Sequence, residues 1–487
     1  MSVAEDPGRT IMRGAQANAL GFLLRFGGRL IFLFVAARLY GAHLYGAFIL
    51  AAAIVELMVA VGGLSTKKTL YPLLDRAAED GGRPLRHIVF DAALLVASAS
   101  LALGLLIAAG AMLIAPPELA AALILLAPMV AGQALLDLAI AAARWHGKVR
   151  YEVMSRSLIE PWFLALGAIA AYRLGLGEYG LAAAYWCGTI AALGYGLSAV
   201  ARLYPRPAAH PYGPDRATLR RLAGAAGANT AGDFLNALYT RADLYLAGLL
   251  LGPAAAGIYG MARQVATPVR QVWQSFDALL APAVARTIGR GGAAGVTEGL
   301  ASASRLMLVI QLPLLIAMLA IGQPLMAWLG PGFEAGFWAL VILGAAEVLQ
   351  SALGVGDLVF VYLKPRIGLY LTAISIAAGT IAALLLIPSL GITGAAFALL
   401  TAYALRSVLR FAVLRRRFGM PVPRAHLAGP LAAAAAAAVA VLMVPGPALA
   451  LAAGLALYAA LVALWLKLTG QRLALTGFAD QSRAAAN

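Results

Sequence analysis

Charge is scarce in this chain, and negative charge scarcer still. Only 12% of its 487 residues are charged, and 21 acids stand against 37 bases. A soluble domain carries about 25% charged residues, so this shortage, together with 62% hydrophobic residues, excludes a water-soluble globule. A single cysteine, Cys187, rules out an intrachain disulfide, and its place in an apolar run predicts a small buried hydrophobe. The five histidines are scattered without metal-ligand spacing, His43, His210 and His426 falling in loops, so no metal is expected. No glycine-rich phosphate loop opens a helix, which argues against ATP hydrolysis in this chain. With no cofactor motif and no catalytic constellation, it reads as a non-enzyme. The amino terminus lacks a short apolar core followed by a small-residue cleavage site, so the first apolar helix is expected to remain as a span.

What the chain has instead is long apolar runs. A helix of about 20 apolar residues crosses a bilayer, and such runs recur throughout, predicting an all-α polytopic membrane protein with about 14 transmembrane helices. They are placed at 15–38, 44–65, 88–114, 119–143, 153–172 and 180–201, then 222–248, 256–281, 305–328, 336–361, 367–388 and 393–414, with two more at 428–444 and 448–466. The expected organisation is an N-terminal six-helix lobe (1–201), a cytoplasmic inter-lobe loop (202–221), a second six-helix lobe (222–414), and two additional helices with a cytoplasmic tail (415–487). The alanine run 432–438 is close-packing helix within one of those spans.

The two lobes read as a duplication. Gly41, Gly46 and Phe48 are echoed with the same spacing by Gly252, Gly257 and Tyr259, an offset of 211 (41 to 252). A second motif, G-x2-G-x-A-x-A, starts at Gly177 and again at Gly391, an offset of 214 (177 to 391). Two glycine motifs at nearly one offset point to pseudo-symmetric lobes built on an internal repeat.

Lysine and arginine set the orientation. Outside the spans they fall almost wholly in loops on the side of the amino terminus, the opposite loops holding only Arg38 and Arg173. The positive-inside rule then places both termini in the cytoplasm. The net charge of +16 is accounted for by juxtamembrane bases beside anionic lipid headgroups. Little aromatic interleaving accompanies these bases, so nucleic acid is not an expected partner.

The informative residues are charges inside spans, where each base costs about 3 kcal/mol at the bilayer centre unless it meets water or a partner. Arg25, Arg29, Arg156, Arg241, Arg263, Arg270 and Arg406 are of this kind. Asn18, Arg25 and Arg29 share one helical stripe. So do Asn229, Asp233, Asn236, Thr240 and Asp243, and again Arg263, Thr267, Arg270, Gln274 and Asp277. The offset of 211 superposes Asn229, Asn236 and Thr240 on Asn18, Arg25 and Arg29, and sets Glu56 opposite Thr267. Four helices, the first two of each lobe, are therefore expected to line a central cationic cavity. Arg25, Arg29, Arg263, Arg270, Asn18, Asn229, Asn236 and Gln274 are its candidate cargo-binding groups, and Glu56 and Asp233 the candidate carriers of a coupling ion, H+ or Na+. Local pairing is the reading for Arg156 with Glu160, four residues on. Asp91, Asp277, Asp357 and Arg406 lie toward span ends, where snorkelling or loop pairing suffices. Asp137, Glu347 and Gln350 are read equally as cavity groups or as hydrogen bonders between helices.

The fourteen spans, the pattern Leu39-Tyr-Gly41 through Gly46-x-Phe48, the run Arg241-Ala-Asp243-Leu-Tyr-Leu-Ala-Gly248 leading to Gly257-Ile-Tyr259, Ala281-Pro282, and Gly330-Pro-Gly332-Phe333 together resemble the Wzx-type polysaccharide-transport flippases. These belong to the multidrug/oligosaccharidyl-lipid/polysaccharide (MOP) exporter superfamily. The resemblance implies a two-lobe fold in the bacterial inner membrane that moves undecaprenyl-pyrophosphate-linked oligosaccharide by alternating access, for surface polysaccharide or O-antigen export, beside polysaccharide polymerase machinery. Arginine suits such cargo, because its forked donors match phosphate oxygens. A lipid II flippase shares the span count and the cationic cavity and is the first alternative. An ion-coupled multidrug extruder, with twelve spans and an acidic pocket, fits less well. A membrane-embedded glycosyltransferase or polymerase would need a large periplasmic loop or an acidic metal motif, and these loops are short.

Overall fold

The computed structural model describes residues 27–80, 83–205, 211–291, 296–354, 356–420, 424–471 and 473. Asn18 and Arg25 lie outside them, as does the side chain of Asp277. Every regular element among the described residues is helical. The chain divides into two compact units, one ending at Leu238 and the other beginning at Tyr239.

The first unit contains α1 (27–40), α2 (Gly41–Gly62), the short amphipathic α3 (Tyr71–Asp80), α4 (Leu85–Ile114), α5 (Pro117–Leu126), α6 (Met129–Trp145), α7 (Glu160–Arg173), α8 (Gly180–Leu203) and α9 (Arg216–Tyr239), whose last residue, Tyr239, counts with the second unit. The second contains α10 (Ala242–Leu251), α11 (Pro253–Val265), α12 (Thr267–Gly291), α13 (Thr297–Leu329), α14 (Phe337–Gly354), α15 (Asp357–Leu363), α16 (Pro365–Leu390), α17 (Ile392–Phe418), α18 (Arg424–Met443) and α19 (Pro447–Thr469).

Among the described residues ten helical stretches are long and apolar enough to cross a membrane, and 242–251 and 427–443 are shorter apolar helices. The seventh and eighth predicted spans, on α9 and on α11 with α12, are not among the ten. The polar stripes make α9 and α12 less apolar, and α11 has only 13 residues. The predicted helix 222–248 is also broken: Thr240 and Arg241 leave the helix between α9 and α10, and the freed Thr240 carbonyl accepts from Arg263.

Both glycine motifs recur as backbone geometry. Gly41 turns α1 into α2 at φ 74°, ψ 175°, and Gly252 turns α10 into α11 at φ 85°, ψ 177°, a region that side chains other than hydrogen rarely enter. In the second motif Gly177 and Gly391 again have positive φ, 53° and 59°. Their partners serve close packing: a methyl on Gly180 would overlap the Tyr40 hydroxyl, and one on Gly394 the Leu386 carbonyl. The same two tasks fall to the same two glycines in each unit.

In the first unit a core of Leu70, Leu74, Ile88, Val89, Leu138, Val200 and Leu222 joins α3, α4, α6, α8 and α9, so α9 packs with the helices that precede it. Cys187 departs from its expected burial and is exposed. It shares an outward stripe of α8 with Ile190 and Leu197, 54% and 49% exposed; the run is apolar because it faces lipid, not because it is covered.

The segment before α9 is pinned to the start of α4. Tyr212 packs edge-on against His87 and Phe90 and donates to Asp91 at 3.0 Å, while Arg83 reaches both Asp91 and the Gly213 carbonyl. Partial burial, then Asp91, push the Tyr212 phenol up to about 12. Asp215 then caps α9, accepting from Thr218 through Oγ1 at 2.7 Å and through its amide at 2.9 Å, and from the Ala217 amide. These bonds hold its carboxyl below the usual range, so the cap is intact above the unfolded carboxylate pKa and is lost as pH falls through the depressed value. Amide exchange at Ala217 and Thr218, corrected for intrinsic rate, should therefore quicken in acid. It should be fast and pH-insensitive in Asp215→Ala; unchanged protection in that variant would show that the cap holds nothing.

Candidate functional site

In the first unit Asp233, on α9, is held from the end of α2. Ser65 Oγ donates to it at 2.5 Å and Lys68 Nζ lies 2.8 Å away. The backbone pays locally for this reach, since Leu64 and Ser65 both adopt left-handed φ, 51° and 49°, costing on the order of 1 kcal/mol or more each. Asn229 donates to Ala225 O of its own helix at 3.1 Å, and Asn236 is exposed. Glu56 is exposed on α2 and Arg29 half-buried on α1.

A second polar cluster sits deeper in that unit, with Arg156 as its hub. Its guanidinium meets Glu160 at 2.9 Å, as the four-residue spacing predicts, and also Asp137 at 2.6 Å and Gln133 Oε1 at 2.7 Å. Gln133 Nε2 donates to Glu160 at 2.9 Å and to Thr189 at 3.0 Å. Arg156 lies in a π-helical turn, Met154–Ile159, a distortion found where a helix must re-aim a side chain. Asp137 is therefore an inter-helix bonder.

In the second unit the stripe of α11 and α12 splits into two fates. Arg263 is bound within the unit: its guanidinium meets Asp243 of α10 and donates to the Thr240 carbonyl, and the Tyr259 hydroxyl donates to the same carboxylate. With 12% and 3% of their side chains exposed, Arg263 and Asp243 form a buried pair. Arg270, two turns further, is half-buried, and its Nε has no hydrogen-bond partner among the described residues. Gln274, one turn beyond, is exposed with Ser275.

A third cluster joins Asp357 and Arg406, expected only to snorkel or to pair with loops, to Arg410, which the sequence pattern does not single out. Arg410 is fully buried on α17 and grips Asp357 with two parallel bonds of 2.7 and 2.8 Å. Arg406, one turn before it, meets Asp357 at 3.1 Å and covers the Tyr239 ring. The i, i+4 spacing of Arg406 and Arg410 was the available signal. Asp243 was likewise seen as a stripe residue without its partner Arg263.

Chemically, these arrangements offer buried ion pairs that fix helices to one another and a partly open arginine with amides beside it. No group of three or more potential metal ligands occurs among the described residues.

Residues 11–287 match a family described as "Polysaccharide biosynthesis protein". No curated protein matches the chain in sequence. Among solved structures the fold is similar to the lipid II flippase MurJ in an inward closed conformation, at TM-score 0.76 and 11% identity over 93% of this chain and 100% of that one. It is also similar to an inward-facing multidrug resistance MATE family transporter of the MOP superfamily, at TM-score 0.61 and 14% identity over 82% and 94%. A MOP superfamily transporter from Pyrococcus furiosus, described by the reversed polarity of its binding pocket, aligns at TM-score 0.50 and 14% identity over 85% and 96%. Identities this low speak to the fold alone, and the fold is that of the MOP transporters.

Proposed function

Since the chain belongs to the polysaccharide biosynthesis protein family, we propose that it is a flippase carrying undecaprenyl-pyrophosphate-linked oligosaccharide across the bacterial inner membrane by alternating access. The observation that carries this reading is the exposure of amides and hydroxyls, Asn236 on α9 and Gln274 and Ser275 on α12, on long helices that are not among the apolar candidate spans. Such residues in a membrane protein face water or a polar cargo, and Arg270 stands one turn from Gln274. Arg25, Arg29 and Arg270, with Asn18, Asn229, Asn236 and Gln274, are the proposed cargo groups; Arg263, expected among them, is committed to Asp243 and is given a structural role. Removing the protein should cause a lipid-linked oligosaccharide to accumulate on the cytoplasmic leaflet, read by mass spectrometry of extracted lipids with leaflet-selective labelling. If no such lipid accumulates, the reading fails. The similarity to a lipid II flippase favours lipid II as a second cargo, and the identity of the accumulated lipid decides between them.

Orientation belongs to the same proposal. With Cys187 first replaced by Ser, cysteines at Glu178 and Ser389 should react with an impermeant thiol reagent applied to the periplasmic side of intact cells, and those at Asp80 and Gly213 should not. The reversed pattern would place the termini outside.

Glu56 and Asp233 are the proposed ion carriers. Asp233 already neutralises Lys68, so losing its charge on protonation would free the α2 end from α9. Asp233→Asn and Glu56→Gln should flatten the pH dependence of transport. A transport rate and pH profile unchanged in both variants would return them to structural roles.

A further inference from the structure

The duplication departs from symmetry at one buried position, and the departure is titratable. The offset of 214 set by Gly177 and Gly391 carries Gln133 to Glu347 and Thr189 to Tyr403. In the first unit Gln133, 5% exposed on α6, donates to Thr189 of α8 at 3.0 Å. α14 packs on α17 in the second unit as α6 packs on α8 in the first. There a carboxyl takes the amide's place: Glu347 is 6% exposed on α14, with the buried Tyr403 phenol of α17 as its neighbour.

The Glu347 carboxyl makes no hydrogen bond and no ion pair among the described residues. Among the charges that act on it, Arg270 of α12 has the largest effect, followed by Arg263 of α11 and, opposing them, Asp243 of α10. Arg263 and the Tyr259 hydroxyl are already committed to Asp243. The remaining packed helix, α13, has its charges, Glu298 and Arg305, near its amino end. Because α13 and α14 run antiparallel, with Gly344 of α14 against Met318 and Leu315, Glu347 lies opposite the middle of α13, about 12 Å along the axis from Arg305. Glu334 is exposed ahead of α14. An anion left there without a hydrogen bond is costly, whereas a neutral carboxylic acid has the shape of the Gln133 amide and, like it, both a donor and an acceptor.

We propose that Glu347 is a proton-binding carboxyl of the second unit: protonated, it fills the role that Gln133 fills permanently in the first; ionised, it is drawn to Arg270. The proton released passes to bulk water. Arg270, whose Nε has no partner among the described residues, is then held by the anion and set free by the acid, so that proton binding makes a guanidinium available to a cargo phosphate. That last step rests on the flippase reading; proton binding itself does not.

Infrared titration of the purified protein in lipid nanodiscs, without cargo, tests it. The wild type should show the carbonyl band of a protonated carboxylic acid that disappears on alkaline titration. The band should be missing from Glu347→Gln and retained with a moved midpoint in Glu347→Asp. Superimposable titrations of wild type and Glu347→Gln would overturn the proposal. Should Glu347→Gln fail to fold, Arg270→Gln supplies the decision: loss of the cation that favours the anion should move the midpoint up by about one pH unit, a tenfold gain in proton affinity, and an unmoved midpoint overturns the proposal. Because no cargo is present, a titrating band alongside unchanged lipid-linked oligosaccharide levels in deleted cells would refute the flippase reading alone.

Discussion

Asp357→Ala should lower the stability of the protein by about 3 to 5 kcal/mol, because breaking a buried ion pair from one side leaves uncompensated charge behind. Here two guanidiniums would be stranded. Arg410, fully buried, spends two donors on Asp357 and a third on the Leu353 carbonyl at 2.8 Å. Leu353 belongs to the last turn of α14 and Asp357 opens α15, so one side chain staples both ends of a helix break. Arg406 has 12% of its side chain exposed and would lose the same carboxylate. Thermal unfolding in nanodiscs should show the loss, and Asp357→Ala with Arg410→Leu should recover part of it, since an apolar replacement of a whole buried pair is often neutral. A single variant that melts with the wild type would mean that the staple carries no load.

The two glycine motifs were legible because each demands something only glycine supplies, a positive φ at Gly41, Gly252, Gly177 and Gly391 and a close approach at Gly180 and Gly394. Apolar run length made the long spans equally plain. Partnership was harder to read. Helical spacing assigns residues to one face, which placed Arg263 and Arg270 on a single stripe, but it says nothing of which neighbouring helix supplies a carboxylate to one and not the other. Asp243 reaches Arg263 because the chain breaks at Thr240 and Arg241, and that break has no proline or glycine to announce it. Arg410 was missed for a related reason: it lies in the last turn of the predicted span 393–414, where a base can snorkel to the headgroups, and nothing on its own helix announces the Asp357 carboxylate that holds it.

That difference in partnership gives the sharpest expectation for the proposed cargo site. Arg270→Gln should leave folding intact and weaken binding of the lipid-linked cargo by about 1.5 to 3 kcal/mol, the range for a hydrogen bond to a charged group, which is roughly 10- to 160-fold in Kd. Arg263→Gln should behave in the opposite manner. It leaves Asp243, with 3% of its side chain exposed, held only by Tyr259, so the melting temperature should fall, and Arg263→Gln with Asp243→Asn should restore most of it. Lysine separates charge from shape at position 270: Arg270→Lys keeps the charge and loses the planar fork, so partial rescue indicates attraction alone and no rescue indicates two-pronged recognition of phosphate. Both quantities can be measured on the same preparations, cargo affinity by titration with the extracted lipid-linked oligosaccharide and stability by thermal unfolding. Normal cargo affinity in Arg270→Gln would remove this residue from the cargo site and leave its charge to Glu347.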